Sequence, residues 1–199
     1  MADKKYTPKS FTHLKGLKGI SDGLLESHLK LYEGYVNRTN KLTETLFGMA
    51  KDGQAAGSNP AYAEMTRRMG FEYNGMVLHE YYFGNLKPGG SGSAPAGKLK
   101  AAIEASFGSY DIWLADFRAI ATMPGVGWAI TYQNPENGWL SNHWVTLHEE
   151  GNPAGFKPVL VMDAWEHAFV PDYKPTERAK YVDAYFGNID WLAAESRLK

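Results

Sequence analysis

Cysteine is absent from this chain of 199 residues. That absence excludes disulfide bonds, thiolate-bound zinc and iron–sulfur clusters, so any metal site must use imidazole and carboxylate groups. The chain also has no excess of positive charge, since its formal net charge is −1. Proteins that bind nucleic acids usually have such an excess, so no nucleic-acid partner is expected. The sequence also lacks a run of about 18 apolar residues, which a membrane-spanning helix would need, so no membrane partner is expected.

The N-terminal segment has no apolar core of the kind found in secretory signal peptides. A cytoplasmic location is therefore the prediction. Apolar residues make up 44% and charged residues 22% of the chain, as is usual for a globular protein. The aromatic content of 14% is high. It is typical of a large aromatic core, or of a layer of rings around a metal ion.

Asp163 and His167 are the most informative pair of residues. They stand four positions apart in an apolar segment, and such positions share a face if the segment is helical. A carboxylate on an apolar surface is costly unless something pairs with it. Its partner is either the imidazole, in a buried hydrogen bond, or a metal ion.

Two further histidines bear on this choice. The chain has only six histidines, and His28 and His79 lie in helix-like segments with aromatic neighbours. One carboxylate with several imidazoles is a donor set that suits iron, manganese or zinc. Each histidine taken singly is more often a core or capping residue, so both interpretations stay open at this point.

The first half of the chain is predicted to form a long antiparallel helical hairpin. Residues 1–20 are expected to be an irregular arm, and Ser21 is a suitable cap for a helix that runs to about Met49. Pro60 suits the first turn of a second helix that ends at about Asn85. A short glycine-containing link joins the two helices, which predicts an antiparallel pair.

The second half is predicted to be an α/β domain with a small three-stranded antiparallel sheet flanked by helices. A linker rich in Gly, Ser and Pro covers residues 87–97. The predicted helices cover residues 98–106, 109–122 and 176–186, with a short one at the C-terminus, and the predicted strands cover 127–132, 139–147 and 159–162. The fold class is therefore α+β, with predicted domains 1–90 and 91–199.

A series of short motifs follows this organisation. They are His28 with Tyr35-Val36-Asn37, His79, Lys87-Pro88-Gly89-Gly90, Phe107-Gly108-Ser109-Tyr110-Asp111, Gly125-Val126-Gly127-Trp128, Asp163-Ala164-Trp165-Glu166-His167-Ala168, Asp172-Tyr173 and Asn188-Ile189-Asp190-Trp191. In this order they resemble the iron/manganese superoxide dismutase family. The resemblance runs nearly from end to end, and the block that begins at Asp163 is its most specific part.

The resemblance implies a superoxide dismutase, which converts two superoxide anions to O₂ and H₂O₂ by alternate reduction and oxidation of one metal centre. It implies the metal ligands His28, His79, Asp163 and His167, with water or hydroxide as a fifth ligand. One iron ion per subunit is favoured, and manganese or the use of either metal is the alternative. The expected assembly is a homodimer, with a tetramer also open.

The resemblance also implies roles for residues around the metal. Gly75 stands where common iron-type members have a glutamine that contacts the metal-bound solvent. A residue of the sheet should then make that contact, and His148 is the predicted one, with His143 as the alternative. Tyr35 matches a tyrosine at the substrate entrance, so Tyr35 and His148 are the predicted catalytic residues.

Four other residues are expected to surround the site. Trp128 and Trp165 match aromatic walls of the family, and Tyr32 lies one helical turn after His28, where it would cover that ligand. Glu166 matches a glutamate that bonds the ligand histidine of the opposite subunit.

The sequence departs from the family pattern at two places. His28 precedes Tyr35 by seven positions rather than the usual eight, which predicts a plain α-helix in place of a local π-type bulge. Leu31 and Phe169 occupy the positions of a histidine and a tyrosine that usually bond across the dimer. Their joint loss leaves no buried polar group unpaired, but its effect on the dimer is open.

Two other functions compete with dismutase activity. One is a metal-binding relative with little activity, which would store metal or bind a partner protein. The other is a non-haem iron oxygenase, but that chemistry needs two or more open coordination positions. Four protein ligands leave too few positions for it.

Overall fold

The computed structural model describes residues 5–199. The first four residues of the predicted arm lie outside the described residues. The remainder of the arm is irregular apart from a single 3₁₀ turn, Thr12–Leu14. Leu14, Leu17 and Ile20 of the arm are buried, so it packs onto the core.

Helices α1 (Asp22–Lys51) and α2 (Pro60–Phe83) form the predicted long hairpin. Ser21 caps α1, where its hydroxyl accepts a hydrogen bond from the Leu24 amide at 3.1 Å. Asn59 caps α2, and Pro60 occupies the first turn, where its missing N–H has no partner to lose. Helix α1 ends two residues later and α2 two residues earlier than the sequence predicts.

Four shorter helices belong to the second half of the chain. They are α3 (Gly97–Phe107), α4 (Tyr110–Ala121), α5 (Arg178–Gly187) and α6 (Trp191–Glu195). Each corresponds to a predicted helix. The 3₁₀ turn Pro175–Glu177 precedes α5, so the α-helix itself begins after the predicted start.

The sheet has three antiparallel strands in the order β2-β1-β3. Their bounds are Gly127–Gln133 for β1, Leu140–Thr146 for β2 and Lys157–Asp163 for β3. The central strand β1 is buried along its whole length, because α3 and α4 pack on the β1–β2 side and α2 packs on β3. This architecture confirms the predicted α+β fold class. Among residues 5–199 no helix is both long and apolar enough to cross a membrane.

The segment from Asp163 to His167 differs from the helical geometry considered above. Asp163 is the last residue of β3, and His167 lies in a 3₁₀ turn, Glu166–Ala168. The two side chains converge because the strand passes directly into this tight turn. The boundary between residues 90 and 91 stays a prediction.

Candidate metal centre

Four side chains meet where the hairpin packs against the end of β3. His28 comes from α1, His79 from α2, Asp163 from β3 and His167 from the turn that follows. One donor atom of each lies within 4.8 Å of all the others. The structure therefore brings together the whole predicted ligand set, and their role as ligands stays a prediction.

The two oxygens of the Asp163 carboxylate have different partners. Its Oδ1 accepts a hydrogen bond from the Trp165 amide at 2.8 Å. Its Oδ2 faces the Nε2 atoms of the three imidazoles, at 3.1 Å for His28, 3.5 Å for His79 and 3.1 Å for His167. One oxygen with three convergent ring nitrogens is a donor arrangement that fits a cation.

His79 supplies the test of whether a metal fits. Its Nδ1–H donates to the Gly75 carbonyl, which fixes the tautomer and leaves a lone pair on Nε2. That Nε2 is buried and has no hydrogen-bond partner in the described part of the chain. A buried polar atom without a partner is costly. A metal cation at this point would satisfy it, and the Gly75 carbonyl would orient the ring.

Burial sets the charge of the cluster. Removal from water lowers the pKa of His28 and lowers that of His79 well below the ordinary value, so both rings are neutral at pH 7. Burial alone would raise the pKa of Asp163, but the attraction of His167 and hydrogen bonds from His167 and His28 lower it. Neutral imidazoles beside an ionised carboxylate are the protonation states that bind a metal.

His148 lies against this cluster, whereas His143 does not. The rings of His148 and His79 are 6.1 Å apart, while His143 contacts Tyr132 and Phe156. Leu147, which precedes His148, has a φ of +53°. This left-handed residue directly follows β2, and the His148 ring after it is fully buried.

Both ring nitrogens of His148 have protein partners. Nδ1 accepts a hydrogen bond from the Trp128 indole at 3.0 Å, and Nε2 lies 2.7 Å from the Tyr35 hydroxyl. A contact to metal-bound solvent would require the Nε2–H to be shared between two acceptors. The predicted solvent contact therefore stays a prediction.

Aromatic rings enclose the cluster on several sides. Tyr35 stacks on His79 with centroids 5.3 Å apart, and Trp128 meets the same ring edge-on at 5.0 Å. Trp165 stacks on His167 at 5.5 Å. Tyr32 is buried 6.5 Å from His79 and donates to Glu80. Helix α1 is α-helical throughout, so His28, Tyr32 and Tyr35 share one face as predicted.

Gly75 makes room for Tyr35. A Cβ atom at Gly75 would lie 2.5 Å from Cδ1 and 2.7 Å from Cε1 of the Tyr35 ring. These distances are far below van der Waals contact. Gly75, which stands where the pattern of common iron-type members has a glutamine, therefore has a steric function: its lack of a side chain leaves room for the Tyr35 ring.

The residues predicted at a dimer contact differ in their burial within one chain. Glu166 is exposed. Phe169 is buried and stacks on Tyr181 with centroids 5.5 Å apart, and Leu31 is partly buried against the core. Leu31 and Phe169 thus pack as apolar residues.

Sequence reasoning missed four residues beside Tyr35 and His148. The ring centroids of Phe71 and His148 are 4.5 Å apart. Arg38, Arg68 and Glu72 form an ion-pair cluster next to it. The i,i+4 spacing of Arg68 and Glu72 was the available signal, but such pairs usually lie on an exposed helix face.

Comparisons with known proteins agree with this geometry. The family model described as "Iron/manganese superoxide dismutases, C-terminal domain" matches residues 95–197. "Superoxide dismutase [Fe]" of Aquifex pyrophilus is 36% identical over 202 residues, which cover 100% of this chain and 93% of that protein. The chain therefore aligns with this relative along its whole length.

Two further relatives are named for different metals. "Superoxide dismutase [Fe]" of Cupriavidus metallidurans is 39% identical over 184 residues, with 91% of this chain and 89% of that protein covered. "Superoxide dismutase [Mn] 1" of Halobacterium salinarum is 36% identical over 173 residues, with 86% and 83% covered. With the donor cluster and the matched C-terminal half, these similarities show that the chain belongs to the iron/manganese superoxide dismutase family.

Proposed function

We propose that this protein is a superoxide dismutase that converts two superoxide anions and two protons to O₂ and H₂O₂. The observation that carries the proposal is the convergence of three imidazole nitrogens on one oxygen of Asp163. Within residues 5–199 the buried Nε2 of His79 has no hydrogen-bond partner, which a bound cation would supply. His28, His79, Asp163 and His167 would hold the ion. A bound iron or manganese supplies one-electron oxidation and reduction, which no side chain of the cluster provides.

The rings around the cluster exclude water and fix its geometry. Trp128 is fully buried, and its indole N–H donates to His148 rather than to solvent. The Trp165 indole donates to the Leu147 carbonyl at 3.2 Å, which holds its ring against His148 and His167. Side chains held in this way allow only small molecules to reach the cluster, and they orient the imidazoles.

Tyr35 and His148 place a proton beside the cluster. Because Nδ1 of His148 accepts from Trp128, its proton is on Nε2, and that N–H donates to the Tyr35 oxygen. The hydroxyl proton of Tyr35 is then free to be donated to an anion. Burial raises the pKa of Tyr35 to about 12 and lowers that of His148 to about 4. Tyr35 is thus a neutral proton donor at pH 7, and His148 positions it.

Iron is the proposed metal, with manganese as the alternative. Relatives named for iron and for manganese have similar identities to this chain, so identity alone does not choose between them. Gly75 and His148 differ from the glutamine arrangement of common iron-type members. We therefore propose that the Tyr35–His148 pair, rather than the ligands, sets the choice of metal.

A homodimer is part of the proposal, and a tetramer built from it is the alternative. Glu166 is exposed and lies between Trp165 and His167, so its carboxylate is available to a second chain. A carboxylate bonded to the partner subunit's His167 would orient that imidazole. A cytoplasmic location stays a prediction that cell fractionation would test.

The test is turnover of protein reconstituted separately with iron and with manganese. Superoxide generated in a pulse should decay catalytically, with one O₂ and one H₂O₂ formed for every two superoxide ions. The competing function is a metal-binding relative with little activity. Protein that binds one metal ion per chain yet leaves superoxide decay at its spontaneous rate would support that alternative and contradict the proposal.

A further inference from the structure

Side chains bond the outer edge of β3, the strand that ends at Asp163. β3 lies at one edge of the sheet, and an edge strand presents main-chain carbonyls that no neighbouring strand pairs. Three alternate carbonyls of this edge each accept a hydrogen bond from a side chain, and the donor–acceptor pairs are Arg197–Val159 at 3.0 Å, Tyr185–Val161 at 2.9 Å and Tyr181–Asp163 at 2.9 Å. The last of these carbonyls belongs to a predicted metal ligand.

The main chain at Asp163 is bonded from two sides. The Ala164 amide donates to the Gly127 carbonyl of β1 at 2.9 Å. Neighbouring residues of an antiparallel strand point their main-chain groups to opposite sides, so the Asp163 carbonyl faces the outer edge, where Tyr181 bonds it. The Asp163 carboxylate bonds the Trp165 amide through Oδ1 and faces the imidazoles with Oδ2. The position of Oδ2 therefore depends on a main chain that Tyr181 holds.

The Tyr181 hydroxyl is also joined to Tyr82, which lies beside another predicted ligand. The two hydroxyl oxygens are 3.0 Å apart, and both side chains are buried. A tyrosine has one hydroxyl proton, and Tyr181 gives its proton to the Asp163 carbonyl, so Tyr82 donates to the Tyr181 oxygen. Burial raises the pKa of both tyrosines, so both hydroxyls keep their protons at pH 7. The ring centroids of Tyr82 and His28 are 5.2 Å apart. The two tyrosines thus connect Asp163 with His28.

We infer that Tyr181 is a positioning residue of the metal centre, which holds the Asp163 main chain so that the carboxylate meets the imidazoles. The inference rests on the ligand assignment of the proposed function, but it does not depend on superoxide turnover. Partners that orient a metal ligand change the metal affinity by about 10–100-fold when they are removed. The contact is fully buried, so water does not replace the hydroxyl at this carbonyl.

The first test compares the iron affinity of Tyr181→Phe with that of Tyr185→Phe. Tyr185→Phe is the matched control, because it removes an equally buried hydroxyl one turn later on α5. The Val161 carbonyl that Tyr185 bonds keeps the Asn85 amide as a donor at 2.6 Å. Competition with a chelator gives the affinity. Tyr181→Phe should bind iron about tenfold more weakly than wild type, the lower end of the expected range, whereas Tyr185→Phe should bind it as wild type does.

Electron paramagnetic resonance of the ferric protein separates positioning from a general loss of stability. The spectrum reports the symmetry of the iron ligands, so a displaced carboxylate should alter it in Tyr181→Phe and leave the wild-type spectrum in Tyr185→Phe. Tyr82→Phe keeps the bond from Tyr181 to Asp163, so it should lower the iron affinity less than Tyr181→Phe does. Equal iron affinities and spectra for Tyr181→Phe and Tyr185→Phe would overturn the inference.

Amide hydrogen exchange of the metal-free protein tests the same contact without metal or activity. The Ala164 amide bonds Gly127, and the Trp165 amide bonds the Asp163 carboxylate. Tyr181→Phe should speed the exchange of both amides about fivefold, as expected for the loss of one hydrogen bond, and Tyr185→Phe should not. Unchanged exchange in Tyr181→Phe would count against the inference. Faster exchange and weaker iron binding in a protein without superoxide turnover would keep the positioning role and reject the proposed function.

Discussion

Replacement of Gly75 by alanine tests the steric relation between α2 and Tyr35. The added Cβ would lie 2.5 Å and 2.7 Å from two atoms of the Tyr35 ring. The ring is held on one face, where it stacks on His79, and at its hydroxyl, which lies 2.7 Å from Nε2 of His148. We expect the ring to be displaced from both contacts. Activity should fall with stability, because the displaced hydroxyl no longer lies at the cluster.

The change in the free energy of unfolding caused by Gly75→Ala combines two opposing effects. Alanine is favoured over glycine in a helix interior by about 1 kcal/mol, whereas overpacking a well-packed site costs about 1–3 kcal/mol. Gly48→Ala gives the helix effect alone, because Gly48 lies within α1 and a Cβ there meets nothing within 4 Å. The difference between the two variants isolates the clash. For a chain of this length, about 1–3 kcal/mol corresponds to a melting-temperature difference of about 2–12 °C.

The assay is thermal unfolding of wild type, Gly75→Ala and Gly48→Ala at equal metal content. We expect Gly48→Ala to be at least as stable as wild type and Gly75→Ala to melt below it. The double variant Gly75→Ala/Tyr35→Ala should show strong coupling, because removal of the ring also removes the clash. Equal melting temperatures for Gly75→Ala and Gly48→Ala, with unchanged activity, would refute this reasoning.

Three further substitutions test separate parts of the site. Asp163→Ala removes the only carboxylate of the cluster, so metal content by elemental analysis should fall sharply and thermal stability with it; full metal and activity would contradict the ligand assignment. Glu166→Ala should weaken dimer formation and activity together, because one bond to the partner subunit's His167 serves both, and sedimentation at decreasing protein concentration measures this. A variant that stays dimeric with normal turnover would count against that bond. His148→Gln should retain metal, since no ligand is lost, but should change the ratio of iron-dependent to manganese-dependent activity. An unchanged ratio after separate reconstitution would show that His148 does not set the metal preference.

Local signals were sufficient to predict the elements that deliver the ligands. Ser21 and Pro60 mark the starts of α1 and α2, since capping and first-turn preferences act within a few residues. The apolar run before Asp163 predicts a buried strand, and Asp163 is indeed the last residue of β3. The short motifs then identify which histidines belong with it.

The features of the site that could not be predicted from the sequence depend on contacts between segments that are distant in the chain. Arg38 and Glu72 meet only because α1 and α2 pack in one particular register. No propensity rule predicts that Leu147 adopts a φ of +53°, because leucine is disfavoured there. The fit of Tyr35 over Gly75 likewise arises from helix packing. Residues that position a metal site are therefore harder to predict from sequence than the ligands themselves.

A crystal structure of the iron-loaded protein, with data recorded at the iron absorption edge, tests the central claim most directly. The account predicts one anomalous peak per chain, between His28, His79, Asp163 and His167, with the Nε2 of His79 turned toward it. A peak at any other place, or a fully loaded protein in which His79 does not contact the metal, would contradict the account.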